Sequence, residues 1–171
     1  MSWTTTAPAI KGDWSADQTG TRKEAYYTGQ YGAYYRAVVS YAITTDNQLC
    51  VRISVTSSRS FGSVGSQWIY KARVTDSDGE YISAEARVGI NSNYTWYWIT
   101  KTNKADTVTA GVTSTIGGGG GWSEITLTVP KLGNAVIIKV AGVWKEGQMP
   151  VKVNGVWQNG TAKIKTGGKW K

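Results

Sequence analysis

From Tyr35 onward the apolar residues fall on every second position, the period of a strand with one buried face. Val39, Tyr41 and Ile43 alternate with smaller residues, and Thr45-Asp-Asn-Gln48 turns the chain. Leu49, Val51, Ile53 and Val55 then alternate with Cys50, Arg52 and Ser54, which predicts a strand with Cys50 on its polar face. Trp68, Tyr70, Ala72 and Val74 run to a turn at Asp76-Ser-Asp-Gly79, and Ile82, Ala84, Ala86 and Val88 return as the second strand of a hairpin. Tyr94, Trp96 and Trp98 share one face of the next strand. Val108, Ala110, Val112 and Ile116 alternate with threonines, and Ile125, Leu127 and Val129 complete the pattern before Pro130. No amphipathic helix interrupts these strands. The expected body is an all-β, antiparallel β-sandwich of jelly-roll or Ig-like type over residues 34–132. Residues 1–33 have no steady period and are punctuated by Pro8, Gly12, Gly20, Gly29 and Gly32, so they are expected to form an N-terminal arm.

Residues 133–171 follow a second, longer period. Trp144, Trp157 and Trp170 are thirteen residues apart, and so are Gly142, Gly155, Gly168 and Lys139, Lys152, Lys165. Each unit reads as a β-hairpin. Asn154-Gly155 between valines signals a two-residue turn whose central positions need φ > 0, with matching turns expected at Ala141-Gly142 and Gly167-Gly168. That register sets Val153 opposite Val156 and Lys152 opposite Trp157, and likewise Val140 opposite Val143 and Lys139 opposite Trp144. The third unit replaces the two valines with Thr166 and Lys169, the polar edge of a capping repeat. The valines are expected on the packed face, against the body or a neighbouring copy. Removal of the residues after Pro150 should then leave the sandwich folded but impair assembly, and Gly155→Val should act in the same direction.

Charge separates the two parts further. The chain carries +8, of which residues 131–171 hold eight lysines against the single acid Glu146, leaving residues 1–130 nearly neutral. Such a basic tail suits a polyanion, although its lysines alternate with structural residues instead of clustering, as on a solvated edge. Nucleic acid, with Trp157 and Trp170 as stacking platforms, is the weaker reading because no nucleic-acid module is present.

The chemistry available is narrow. The chain has no histidine and one cysteine, Cys50, which removes the His-based triads, most zinc sites and any internal disulfide. Asp76, Asp78 and Glu80 lack the spacing of a calcium loop, and Gly117 to Gly121 lead into no phosphate-cradling helix. The expectation is a non-enzymatic protein without cofactor or metal. No apolar run reaches the length of a membrane span, and no signal peptide is visible. Tyr31, Trp68, Trp96 and Trp98 are the candidate aromatics for stacking on a carbohydrate, against the stronger expectation that strand tryptophans fill the core.

Val151-Lys-Val-Asn-Gly-Val-Trp157 and Val140-Ala-Gly-Val-Trp-Lys-Glu-Gly147 resemble the short units that close many tail, baseplate and fibre proteins of bacteriophages of Gram-positive bacteria. The resemblance covers about the last fifth of the chain. It implies a structural virion protein of the tail or baseplate, assembled in the host bacterial cytoplasm, a homo-oligomer in contact with other virion proteins. Val140, Val143, Trp144, Val153, Gly155, Val156, Trp157 and Trp170 would be its assembly residues. A capsid decoration or head-fibre protein is a close variant, and a carbohydrate-binding module that holds the phage to a cell-surface glycan is the alternative from another class.

Overall fold

The computed structural model describes the chain except residues 1, 28–29, 60–66, 90–91, 101–106, 116–120, 131–135, 141–142, 148, 154–155, 161–164, 167–168 and 171; side chains are described outside 25–33, 59–67 and 131–171 as well. It is all-β, about 70% strand, with antiparallel sheets, one of which curls as a half-barrel. Two compact units divide at Lys131 and Leu132.

Among the described residues the first unit holds twelve strands in two sheets. In chain order they are β1 (Ser2–Thr4), β2 (Ile10–Lys11), β3 (Gln18–Thr19), β4 (Lys23–Tyr27), β5 (Gln30–Thr44) and β6 (Leu49–Arg59). There follow β7 (Gln67–Asp76), β8 (Gly79–Ile82), β9 (Ala86–Gly89), β10 (Asn93–Thr100), β11 (Thr107–Ser114) and β12 (Ser123–Thr128). The larger sheet runs β1-β10-β6-β5-β2, with β3 and β4 also on β5; the smaller runs β12-β11-β7-β8, with β9 also on β7.

Cross-strand partners share a face, so the registers assign the core directly. Val39 pairs with Ile53, Ala37 with Val55, and Val51 and Ile53 with Trp98 and Trp96; all seven are buried. On the smaller sheet Val74 and Ala72 pair with Ala110 and Val112, and Val108 pairs with Leu127. The inner faces meet through aromatic contacts: Tyr35 lies 5.5 Å from Tyr70 and Tyr81 lies 5.5 Å from Trp98, centroid to centroid. A polar link accompanies them, since the Ala37 amide of β5 donates to Ser123 Oγ of β12 at 3.0 Å.

The expected N-terminal arm is instead part of the sheet. β1 pairs with β10, while β2, β3 and β4 follow one another along β5 as a broken edge strand. Apolar periodicity could not signal this, because the edge is interrupted between its short pieces. Ser15 fills the first interruption, and the Gly20 amide, which donates to the Ala37 carbonyl at 2.9 Å, bridges the second. Ser15 donates its amide to the Tyr41 carbonyl and accepts the Tyr41 amide on Oγ, at 2.9 and 3.0 Å. The other broken edge is built alike: between β8 and β9, Ser83 donates to the Ala72 carbonyl at 2.9 Å and accepts the Ala72 amide on Oγ at 2.8 Å. A broken edge offers an incoming strand no continuous ladder, a known protection against sheet-to-sheet association.

The break at Ser83 also corrects the expected return strand. Arg73 pairs with Ile82 and Tyr70 with Ala86, so β7 advances three residues while its partner advances four. The extra residue reverses the phase, as a bulge does. Tyr81, not Ile82, therefore faces inward, and Ile82 is 49% exposed. Ser83→Ala is expected to leave the buried Ala72 amide without its acceptor and to cost about 1–3 kcal/mol, measured as a shift of the urea midpoint with unchanged slope.

Cys50 requires a second correction, because it is fully buried. Its partners Ala42 and Ile99 lie on the outer face of the larger sheet. Arg52 is on that face too, with Trp14 stacked over it at 4.6 Å and against Tyr97 at 5.9 Å. The N-terminal segment thus covers one end of a face that alternation alone assigns to solvent, and Ser40, Ala42 and Thr44 are buried there as well.

Burial pushes the Cys50 thiol up to about 12, with Arg52 opposing the shift. The protonated thiol is the form the fold accepts. Its contribution is therefore fully present below the free thiol's value near 9 and is lost as pH rises through about 12. Alkaline titration should show this loss, reduced in Cys50→Ala but not abolished, because burial also raises Tyr70 to about 12. At neutral pH a thiol reagent should label Cys50 only after denaturant is added.

The second unit contains three two-stranded antiparallel pairs: β13 (Val136–Val140) with β14 (Val143–Gly147), β15 (Met149–Val153) with β16 (Val156–Gly160), and β17 (Lys165–Thr166) with β18 (Lys169–Trp170). Lys139 is registered with Trp144, Lys152 with Trp157 and Lys165 with Trp170. The last registered partners of each pair are Val140 with Val143, Val153 with Val156 and Thr166 with Lys169. The expected turn residues Ala141-Gly142, Asn154-Gly155 and Gly167-Gly168 lie outside the described residues.

Candidate functional site

The candidate sugar-stacking residues separate on burial. Trp68, Trp96 and Trp98 are 3%, 3% and 1% exposed and belong to the core between the sheets. A ring so buried presents no open plane to a sugar, so Trp68, Trp96 and Trp98 are all corrected to packing residues. The strand pattern already implied it, since alternation points all three to the inner face. Tyr31 lies in β5, and its side chain is outside the described residues. So are the side chains of Val140, Val143, Trp144, Val153, Val156, Trp157 and Trp170, for which the backbone register alone is described.

An aromatic cleft of about 280 Å³ opens at the edge of the inner face. Its aromatic wall is Trp3, Tyr94 and Trp96, and Thr4, Thr5 and Glu85 supply polar groups. The first strand builds it: Trp3 is registered with Trp98, which places its side chain on the face that also carries Tyr94 and Trp96. Tyr94 and Trp96 stand edge to face at 4.6 Å. Trp3 and Tyr94 are half-buried, whereas Trp96 contributes little surface. Opposite them, the bulged connection after β8 presents Glu85, whose carboxylate pairs with Lys71 at 3.2 Å. Such a cleft offers apolar planes beside hydroxyls and one partly neutralised acid. Trp3 carried no signal in the sequence, because it sits in an aperiodic, threonine-rich stretch.

The outer faces are organised by arginines. Arg73 reaches Glu124 at 2.6 Å and Glu80 at 2.9 Å and lies 4.1 Å from the centroid of Trp122. Arg52 pairs with Asp17 at 2.6 Å beneath Trp14. Arg22 lies 3.3 Å from the centroid of Tyr34. Each ring holds a flat cation by its quadrupole.

The acidic turn uses its own oxygens. Asp76 Oδ1 accepts the amides of Asp78 and Gly79 at 2.8 and 3.1 Å, closing the turn into β8. Among the described residues no three His, Cys, Asp or Glu side chains gather as a metal site.

Compared with protein-family models, curated proteins and solved structures, the chain matches none of them.

Proposed function

We propose that this protein is a non-enzymatic structural component of a bacteriophage virion, of the tail or baseplate, acting through contacts with its own copies and with neighbouring subunits. The observation that carries the reading is the second unit: three two-stranded pairs, each with a lysine registered opposite a tryptophan, at a thirteen-residue repeat. A lone two-stranded pair is marginal in water. Successive pairs of this kind gain stability by docking, and a basic, tryptophan-bearing repeat is suited to docking on other protein surfaces. The resemblance of Val151-Lys-Val-Asn-Gly-Val-Trp157 to the closing units of phage tail proteins supplies the setting. In this reading the body is a sandwich of jelly-roll or Ig-like type and the tail a hairpin-repeat appendage. Capsid decoration or head-fibre placement is the near variant.

The test is a chain ending at Lys131, the boundary of the first unit. It should keep the strand signature of the body in circular dichroism and lose oligomerisation and incorporation into particles. A truncated chain that assembles like the full one overturns the proposal.

The aromatic cleft supports a second reading, attachment to a cell-surface glycan. There the stacking planes are Trp3 and Tyr94, with Trp96 as backing. Trp3→Ala should abolish retention on host cell walls if the cleft binds sugar, and leave it unchanged if it does not.

A further inference from the structure

Among the described residues of the first unit three arginines lie over aromatic rings, and two of them are completed by carboxylates. Arg52 has Trp14 and Asp17; Arg73 has Trp122, Glu80 and Glu124. Arg22 has Tyr34, and among the described residues no carboxylate pairs with it. At 3.3 Å from the ring centroid the guanidinium must lie flat, since an edge-on group would push a nitrogen into the ring. Its five N–H donors therefore point sideways, parallel to the ring, where a planar or tetrahedral oxyanion can meet them in pairs.

What lies beside it fits that purpose. A groove of about 270 Å³ on the larger sheet is lined by Arg22, Tyr34, Arg36, Thr56 and Ser58, with Tyr35 and Ser57 completing it. Tyr34 is registered with Ser58 and Arg36 with Thr56, so these four side chains share the outer face. Arg36 is exposed and, like Arg22, has no ion pair among the described residues. Glu24, registered opposite Tyr34, is the acid nearest in the ladder, and it does not line the groove. Two guanidiniums and a row of hydroxyls thus share one depression, and the stacking of Arg22 lowers the ordering cost of contact.

We propose that this groove binds a phosphate ester of a sugar or polyol, the phosphate held between Arg22 and Arg36 and the ligand hydroxyls met by Thr56 and Ser58. The site is separate from the aromatic cleft and goes beyond the assembly reading, since it resides in the first unit.

The experiment titrates the full chain with glycerol 3-phosphate, inorganic phosphate and glycerol, followed by amide chemical shifts. Glycerol 3-phosphate should give saturable shifts at Tyr34, Arg36 and Ser58, bind at least tenfold more tightly than inorganic phosphate, and weaken as salt rises. Glycerol alone should give none. Arg22→Gln and Arg36→Gln, both at the surface and checked for fold by circular dichroism, should each weaken binding at least tenfold. A short glycerol phosphate oligomer separates the sources: tighter binding with length assigns a polymer, and equal binding assigns a free ester. The proposal is overturned if no saturable shift appears, if the double variant binds like the parent, or if glycerol matches its phosphate. Equal affinity for inorganic phosphate removes the sugar or polyol from the assignment.

Discussion

Replacing Gly111 with valine is expected to unfold the first unit or to destabilise it by about 3 kcal/mol or more. Gly111 sits at the centre of β11, registered with Glu124 on one side and Arg73 on the other. A Cβ there would lie 2.7 Å from Glu124 Cγ and inside contact distance of the Ser123 carbonyl oxygen. The obstacle is backbone of the paired strand, which cannot rotate away as a side chain can. The missing side chain also leaves room for Glu124 to cross β11 and accept from Arg73 Nε at 2.6 Å. Glu124→Gln separates the two effects. It keeps the space and weakens only a partly exposed ion pair, so it should cost under about 1 kcal/mol. Urea denaturation of both variants checks this: similar losses would mean that charge, not close approach, requires the glycine.

Trp98→Ala is the second large effect, with an expected cost of about 3–5 kcal/mol. Trp98 is 1% exposed, paired with Val51 and Trp3, and packed against Tyr81 of the opposite sheet. Its removal leaves a cavity where the two sheets meet. Trp98→Phe should cost much less, because among the described residues the buried indole nitrogen has no hydrogen-bond partner for its loss to orphan. Thermal unfolding of both variants measures the difference. An alanine variant with near-parental stability would mean that the sheets meet elsewhere.

Assembly and stability are therefore expected to fail separately. Gly111 and Trp98 act on the first unit, while the proposed docking surface belongs to the second, which clusters as a compact unit of its own. A variant defective in incorporation but normal in unfolding would map to residues 132–171. This separation keeps the assembly test from being confounded by misfolding.

The amino-acid pattern by itself determined the body strands from Tyr35 to Val129 in position and, for most, in facing. A period of two is imposed by the pleat, and a half-buried strand must write its buried face into every second residue. Trp68, Trp96 and Trp98 were legible as inner residues for that reason. The pairings Lys152 with Trp157 and Val153 with Val156 were read from the Asn-Gly signal between valines, and the strand register has the same partners. Only the tertiary structure decided where the N-terminal segment goes. Its strands are two to five residues long, too short for a period, and they are held by β10 and β5, which lie far from them in sequence. That placement buried Cys50 under a face the alternation assigns to solvent and set Trp3 beside Tyr94 and Trp96. It also brought Arg22 over Tyr34 and beside Arg36. Each candidate site joins this segment to a strand of the body, and non-local pairing of that kind leaves no trace in local sequence.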